Sequence, residues 1–188
     1  MTSSQARQFI LVTGPARSGK SEWAETLATG TGKQVVYVAT AATDPTDREW
    51  HNRIVLHQRR RPPSWKTLEV PIELAATIEL YGANSCLLID SVGTWLANLL
   101  HQDDVSWNQT QQAMLSSLQR TAADVILVAE ETGWGLVPAY PIGRLFRDRL
   151  GKLVRHIAAV AHPVYLVTAG HVLNLSQLGT PLSGAIGR

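Results

Sequence analysis

An eight-residue segment near the start of the chain combines the residue types that bind phosphate groups. It matches the pattern G-x-x-x-x-G-K-[ST] and consists of Gly14, Pro15, Ala16, Arg17, Ser18, Gly19, Lys20 and Ser21. Glycines allow a tight turn in which successive backbone N–H groups converge on phosphate oxygens. Lys20 would place its charge at the β- and γ-phosphates, and the Ser21 hydroxyl would ligate Mg²⁺. The segment predicts a nucleoside triphosphate site whose chemistry is phosphoryl or nucleotidyl transfer.

The sequence on either side of this phosphate loop supports the prediction. An apolar run at 10–13 precedes the loop, and a segment of helical period at 21–29 follows it. A helix that begins near Lys20 would point the positive end of its dipole at the phosphates. The alternative is a chance match in a glycine-bearing loop, and the strand–loop–helix setting argues against it.

A carboxylate at the end of another apolar run would complete a Mg²⁺ site. Leu87, Leu88 and Ile89 lead directly into Asp90. Open α/β sheets bind their ligands beyond the carboxyl ends of the strands. By itself this pattern is weak evidence, because Asp is also a common helix cap. Together with the phosphate loop, it favours Asp90 as a metal- or nucleotide-binding residue.

A histidine lies in a short basic segment that ends in two prolines. The segment contains Arg53, His57, Gln58, Arg59, Arg60, Arg61, Pro62 and Pro63. Nearby guanidinium groups disfavour protonation of the imidazole, which leaves it nucleophilic, and they attract phosphate. These properties suit attack of His57 on a nucleotide phosphorus. A solvated basic helix with an incidental histidine explains the same residues, and composition alone favours that second interpretation.

Five apolar runs of strand length alternate with segments of helical period. The predicted strands are 9–13, 35–39, 86–90, 125–129 and 164–168, and their lack of polar alternation indicates burial on both faces. The predicted helices are 21–29, 47–60, 72–81 with Pro71 in its first turn, 92–100, 109–122 and 142–161. This alternation predicts an α/β three-layer fold with a mostly parallel sheet and helices on both faces.

Length and composition predict one ordinary globular domain. The 188 residues suffice for a single domain over 1–188, and we expect the segments 1–8 and 176–188 to be flexible ends. Seventeen basic residues nearly balance 15 acidic ones, which argues against a nucleic-acid partner. Cys86 is the only cysteine, which fits a reducing compartment. Because no apolar run resembles a signal peptide or spans a bilayer, we expect a cytoplasmic protein without membrane insertion.

Taken in order and spacing, these residues resemble a known family. The matching residues are Thr13 with the phosphate loop, Tyr37 to Thr40, Arg53, Ile54, His57, Arg61, Pro62, Trp65, Thr67, Glu69, Asp90, Glu131, Gly133, Gly135, Val137, Pro138, Phe146 to Asp148 and Gly151. The pattern is similar to the bifunctional adenosylcobinamide kinase / adenosylcobinamide-phosphate guanylyltransferases of cobalamin biosynthesis. The phosphate loop alone is generic, whereas its combination with the blocks around His57 and Glu131 is specific. The resemblance covers about 9–170.

The resemblance implies two reactions and a set of site residues. ATP or GTP would phosphorylate adenosylcobinamide, and GMP from GTP would then pass through a guanylylated His57 to give adenosylcobinamide-GDP, with Mg²⁺ at Ser21 and Asp90. Further nucleotide contacts would come from 14–21 and from Ala39, Thr40, Gln58, Arg59, Arg60, Arg61, Glu69 and Asp90. The family also implies a recombinase-like P-loop fold and a homotrimer with sites near the subunit interfaces.

The chain departs from the family pattern at several positions. Pro15 stands where many members have glycine, and proline lacks the N–H that would bind phosphate. Glu130 replaces a common asparagine and adds a carboxylate, which could alter metal or corrinoid contacts. Val154-Arg155 and Ala169 also differ. These changes bear more on the corrinoid side of the site than on the nucleotide side.

Tryptophans offer a candidate surface for a large corrinoid. Trp50, Trp95 and Trp134 could pack against it, although buried tryptophans usually belong to the core, and we favour that interpretation.

Two other functions fit parts of the sequence. One is a plain small-molecule P-loop kinase, in which His57 only steers phosphates. The other is a non-enzymatic, nucleotide-gated assembly protein related to recombinases. The near-neutral net charge argues against the second function, and covalent attachment of GMP to His57 would separate the bifunctional enzyme from the first.

Overall fold

Seven strands form one sheet in the computed structural model, which describes residues 7–42 and 61–182. The strands are β1 (Phe9–Gly14), β2 (Gln34–Ala39), β3 (Lys66–Glu69), β4 (Ser85–Asp90), β5 (Asp124–Glu130), β6 (Val164–Thr168) and β7 (His171–Asn174). Their order across the sheet is β3-β2-β4-β5-β1-β6-β7. Every pairing is parallel except that of β6 with β7. The predicted mostly parallel sheet is confirmed.

Helices cover both faces of this sheet in the described part of the chain. They are α1 (Lys20–Gly30), α2 (Leu74–Glu79), α3 (Val92–Asn98), α4 (Asp104–Arg120), α5 (Pro141–Ala158) and α6 (Leu175–Leu178). Ala24 and Ala28 of α1 pack with Val12 and Ile126 on one face. Helices α2 to α5 pack on the other. The three-layer prediction is therefore confirmed, and none of the described helices is long and apolar enough to cross a membrane.

All five predicted strands exist, within one residue of their predicted bounds. Two strands were missed, and both lie at sheet edges. In β3 the pattern Lys-Thr-Leu-Glu is mostly exposed, so it does not read as an apolar run. In β7 the signal was the two-residue connection, because Ala169 (φ 49°) and Gly170 (φ 74°) both have the left-handed conformation of a tight hairpin turn. Gly170 at that position is the cue that would have found it.

Helices α2 to α5 each end two or three residues before their predicted ends, and two of them also begin more than one residue from the predicted start. Helix α2 begins at Leu74, so Pro71 is not in its first turn. The side chains of Asn98 and Trp95 bind the carbonyls of Pro71 and Ile72, which holds this segment outside the helix. Helix α4 begins earlier than predicted, because Asp103 caps it by accepting from the Ser106 N–H. Helix α5 ends at Ala158, three residues before the predicted end. The predicted helix 47–60 lies outside the described residues.

The segments predicted as flexible ends contain described residues that make hydrogen bonds. The Arg7 guanidinium donates to the carbonyls of Leu118, Gln119 and Thr121 at the end of α4. The Ser176 hydroxyl accepts from the Val164 N–H of β6 at 3.0 Å. These contacts attach both ends of the described chain to the central sheet and its helices.

The buried thiol of Cys86 in β4 makes the stability of the fold depend on pH. Burial raises the pKa of this thiol to about 11, and the negative charge of Asp124 contributes further. In the unfolded chain a thiol ionises near pH 8.5, at about its ordinary pKa. The thiol therefore stabilises the fold fully below that pH, and this contribution is lost as the pH rises through about 11.

We predict that the stability advantage of the wild type over Cys86→Ala shrinks by roughly 2 kcal/mol between about pH 8 and about pH 10. Urea unfolding of both proteins at the two pH values measures this difference. The comparison cancels lysine and tyrosine titration, which both proteins share. A difference that stays constant with pH would show that the folded-state thiol titrates normally.

Candidate functional site

Among the residues that the structure describes, the predicted site residues at the strand ends lie at one edge of the sheet. Because β1 to β5 run parallel, their carboxyl ends meet there. The last residues of these strands are Gly14, Ala39, Glu69, Asp90 and Glu130. Gly14 pairs with Glu130, and Ala39 pairs with both Glu69 and Asp90. This edge is where open α/β sheets bind ligands.

The phosphate loop joins β1 to α1 through two residues with left-handed backbone conformation. Arg17 has φ 59° and Gly19 has φ 94°. A non-glycine residue such as Arg17 pays a steric cost there, and such strain concentrates at functional sites. The first bond of the new helix, from the Trp23 N–H to the Gly19 carbonyl, is 3.0 Å. The loop thus turns into the start of a helix, where free backbone N–H groups bind anions.

Gly14 is required by the close approach of the neighbouring strand. A Cβ at this position would lie 2.2 Å from the carbonyl oxygen of Val167 in β6 and 2.8 Å from the Ser18 hydroxyl. The first of these contacts is with backbone and cannot be relieved by a side-chain rotation. The missing side chain therefore lets the loop begin directly against β6.

Pro15 takes part in the hydrogen bonds of the loop through its carbonyl. Its carbonyl accepts from the Lys20 ammonium at 3.3 Å and from the Ser18 N–H at 3.4 Å. Since proline has no N–H, phosphate oxygens must take their backbone bonds from other loop residues, as the sequence predicted. The Ser18 hydroxyl is buried and has no hydrogen-bond partner within 7–42 and 61–182. It is thus a polar group that a phosphate oxygen could satisfy.

Asp90 is oriented by a buried tyrosine from the neighbouring strand. The Tyr37 hydroxyl donates to Oδ2 of Asp90 at 2.8 Å. Burial, followed by the charge of Asp90, raises the pKa of Tyr37 well above its usual range. The hydroxyl therefore keeps its proton at neutral pH and remains a donor. Sequence reasoning placed Tyr37 only within a family motif; its signal was an aromatic residue on the same strand face as Asp90, in a run of aliphatic residues.

The turn that follows Asp90 is held from two sides. From the position just after β2, Thr40 Oγ1 accepts from the Ser91 N–H at 2.8 Å and donates to the Ser91 carbonyl at 2.7 Å. From β5, the Glu130 carboxylate accepts from the Gly93 N–H at 3.0 Å. Neither brace was predicted in this role, because each joins residues that are distant in sequence.

Glu130 is a partly buried carboxylate among other charges. Burial raises its pKa, and the negative charge of Asp90 raises it further. A hydrogen bond from Ser91 and the positive charge of Lys20 act in the opposite direction. Glu130, Asp90 and Lys20 therefore share one electrostatic environment at the phosphate loop, which agrees with the expectation that Glu130 adds a carboxylate near this centre.

Arg61 marks where the basic segment meets the sheet. Its guanidinium lies 3.3 Å from the centre of the Tyr37 ring, a close cation–π contact, and donates to Thr67 Oγ1 at 3.4 Å. The Tyr37 side chain therefore lies between Arg61 and Asp90 and contacts both of them. His57, Gln58, Arg59 and Arg60 lie outside the described residues.

The predicted nucleotide residues do not all lie beside the phosphate loop. Asp90 is on the second strand from β1, whereas Glu69 is on the fourth. At about 4.8 Å per strand, these separations are roughly 10 Å and 19 Å. Asp90 therefore lies at the phosphate end of the site. Glu69 could reach only a part of the nucleotide that is remote from the loop.

The oxygen groups at the loop fit a Mg²⁺ ion that is bound mainly by phosphate. Ser21 supplies a hydroxyl and Asp90 a carboxylate, and oxygen ligands are those that Mg²⁺ prefers. Within the described ranges, no cluster of three or more His, Cys, Asp or Glu side chains could hold a metal by itself. A site with only one or two protein ligands suits Mg²⁺, because this ion usually keeps waters and substrate phosphates as its other ligands.

Two of the three candidate tryptophans have different environments. Trp95 is 1% exposed and belongs to the core, as favoured. For Trp134 the core interpretation is wrong, since its side chain is 62% exposed. Trp134 lies in the connection 131–140, whose backbone begins at the phosphate loop with a bond from the Glu131 N–H to the Gly14 carbonyl. The connection also exposes Leu136, Val137 and Tyr140. Trp50 lies outside the described residues.

Comparison with known proteins assigns this chain to a family. The family model for cobinamide kinase / cobinamide phosphate guanyltransferase matches residues 10–175. The chain belongs to this family. The matched range includes the phosphate loop, the basic segment and the Asp90 turn, so the resemblance noted in the sequence is confirmed.

Relatives of similar length support the same assignment. The bifunctional adenosylcobalamin biosynthesis protein CobP of Pseudomonas aeruginosa is 41% identical over 174 residues, or 92% of this chain and 98% of that protein. The corresponding protein CobU of Escherichia coli is 38% identical over 177 residues, or 86% of this chain and 96% of that protein. A solved Pyrococcus horikoshii structure shares the fold, with a TM-score of 0.56 and 7% identity over 96% of this chain and 94% of that one.

We predict that Gly14→Ala weakens binding of GTP by at least about tenfold, because the added Cβ would force the loop away from β6. The same clash should lower the free energy of unfolding by about 1–3 kcal/mol. Calorimetric titration and urea unfolding measure the two effects. Gly30→Ala at the end of α1 is the control, since nothing lies within 4 Å of its added Cβ. Normal GTP affinity in Gly14→Ala would show that the loop tolerates the displacement.

Proposed function

We propose that this member of the family carries out two successive reactions at one nucleotide site. It phosphorylates adenosylcobinamide with ATP or GTP, and it then transfers GMP from GTP to the new phosphate to give adenosylcobinamide-GDP. The observation that carries the proposal is the phosphate loop with Asp90 and the Arg61 end of the basic segment at the same sheet edge. The family match over 10–175 supports both activities.

For the kinase step, the described residues supply binding and charge. The N–H groups at the start of α1 and the Lys20 ammonium would hold the β- and γ-phosphates. Mg²⁺ bound at Ser21 and Asp90 would supply positive charge to the same oxygens. The substrate hydroxyl attacks the γ-phosphorus and releases its proton to solvent. The bond from the γ-phosphorus to the oxygen that it shares with the β-phosphate breaks, and the nucleoside diphosphate leaves. Because phosphoryl transfer depends mainly on alignment and electrostatics, positioning can account for much of the rate.

The guanylyl step requires a nucleophile at the other end of the triphosphate. His57 would attack the α-phosphorus of GTP and release pyrophosphate, and the phosphate of the acceptor would then displace the histidine. His57 and Arg61 are four positions apart in the sequence, a span of at most about 14 Å. Since Arg61 stacks on the Tyr37 ring beside Asp90, that span is short enough to bring His57 to the nucleotide.

The acceptor would approach past the connection 131–140. This segment begins against Gly14 and exposes Trp134 and Tyr140, whose flat faces suit a large macrocycle. The segment starts beside the phosphate loop, and Trp134 follows only three residues after Glu131. The exposure of Trp134 thus favours the corrinoid interpretation that the sequence had ranked second.

Lys20→Ala should lower kcat of the kinase step by at least about a hundredfold, because it removes a charge that faces the developing phosphate charge. Phosphorylation of adenosylcobinamide by labelled ATP, at saturating nucleotide, measures the effect. Lys152→Ala, an exposed lysine on α5, is the matched control and should retain normal turnover. Comparable turnover in the two variants would remove Lys20 from the mechanism.

Incubation with α-labelled GTP and Mg²⁺ should attach one label per chain through an acid-labile, base-stable bond. His57→Ala should take up none, whereas the control His101→Ala should label normally. Absence of label in the wild type, under conditions where GTP binds, would leave the plain kinase as the function. Label that persists in His57→Ala would show that another residue is the nucleophile. Nucleotide-dependent filaments without corrinoid turnover would instead indicate an assembly protein.

A further inference from the structure

Glu130 lies on the strand between the one that leads into the phosphate loop and the one that ends in Asp90. Strand β5 lies between β1, which leads into the phosphate loop, and β4, which ends in Asp90. Glu130 pairs with Gly14, while Asp90 pairs with Val128, two residues before Glu130. Glu130, at the end of β5, therefore lies between Asp90 and the start of the loop.

The carboxylate of Glu130 binds the turn that follows Asp90. It accepts from the Gly93 N–H at 3.0 Å, and the Ser91 hydroxyl lies near enough to lower the pKa of the carboxyl. That hydroxyl in turn accepts from the Thr94 N–H at 3.2 Å. Through these bonds Glu130 joins the end of β5 to the first turn of α3.

The close approach of the Glu130 carboxylate leaves no room for a side chain at position 93. A Cβ on Gly93 would lie 2.1 Å from Oε2 of Glu130 and 2.9 Å from its carboxyl carbon. The glycine and the carboxylate thus form one fitted pair, in which a larger residue at either end would move the other. The opposite side of the turn is held by Thr40, so only the Glu130 side depends on a charged group.

We propose that Glu130 is a positioning residue, which acts through Gly93 and Ser91 to hold Asp90 where it can bind nucleotide-bound Mg²⁺. This inference rests on the proposed Mg²⁺ role of Asp90. A displaced turn would leave the phosphate loop intact but would move Asp90 away from the metal. The effect should therefore fall on the contribution of Mg²⁺ to nucleotide binding and spare binding of the nucleotide alone.

The test measures how much Mg²⁺ strengthens nucleotide binding. The probe is α,β-methylene-GTP, which cannot transfer GMP, with no corrinoid present. Its Kd is measured by calorimetry with Mg²⁺ and again with a chelator. The Kd with the chelator divided by the Kd with Mg²⁺ is the Mg²⁺ coupling. Glu130→Ala should lower this ratio by about tenfold with little change in the Kd without Mg²⁺. Glu73→Ala, an exposed glutamate before α2, should keep the wild-type ratio.

A conservative variant separates the hydrogen bond from the charge. Glu130→Gln keeps an oxygen that can accept from the Gly93 N–H, so its ratio should stay within about threefold of the wild type. A fall as large as that of Glu130→Ala would mean that the charge acts directly, and the positioning role would be wrong. An unchanged ratio in Glu130→Ala would equally overturn it.

Gly93→Ala provides a second route to the same displacement, which is useful if Glu130→Ala does not fold. Its added Cβ would push the carboxylate away and should lower the coupling by about tenfold on its own. In a Glu130→Ala background there is no carboxylate to displace, so Gly93→Ala should cause no further loss. Losses that simply multiply would show that the two residues act independently and would contradict the inference.

Asp90→Asn distinguishes failure of this inference from failure of the proposed Mg²⁺ role of Asp90. If Asp90→Asn keeps the wild-type coupling, Asp90 does not bind the metal, and the positioning role of Glu130 fails with it. If Asp90→Asn loses coupling while Glu130→Ala and Gly93→Ala do not, only the positioning role of Glu130 is wrong.

Discussion

The parallel pairing of β5 with β1 on one side and β4 on the other decides where the charged groups of the site lie. This pairing sets Gly14 beside Glu130 and places Asp90 on the next strand along. The distances among Lys20, Asp90 and Glu130 therefore depend on backbone hydrogen bonds inside the sheet. Buried strands of this kind are the least mobile part of a fold, which suits chemistry that requires fixed alignment.

Around this frame, each reactive group is held by a neighbour from another strand. Tyr37 orients Asp90, Thr40 and Glu130 hold the turn after it, and close packing against β6 holds the start of the phosphate loop. The basic segment returns to the sheet at Arg61, above the same tyrosine. A single aromatic ring thus links Asp90, the proposed Mg²⁺ ligand, with the segment that carries the candidate nucleophile.

The sequence predicted best those elements whose residues form a clear apolar pattern. Buried strands such as β1 and β5 show as continuous apolar runs because both faces are covered. The edge strand β3 pairs with a neighbouring strand on one side only and consists mostly of polar residues, so no periodic apolar pattern marks it. Trp134 was misassigned for a related reason: its size suggests burial, whereas its exposure follows from its position in a connecting segment.

The sequence by itself determined the phosphate loop, the fold class and the family, because these depend on residue types at fixed short spacings. Tertiary structure alone decided that Tyr37 donates to Asp90, that Glu130 binds the turn at Gly93, and that Glu69 lies far from the loop. Contacts of this kind join residues that are tens of positions apart, and they depend on strand order and register. Residue spacing along the chain carries little information about either, since many strand orders satisfy the same apolar pattern.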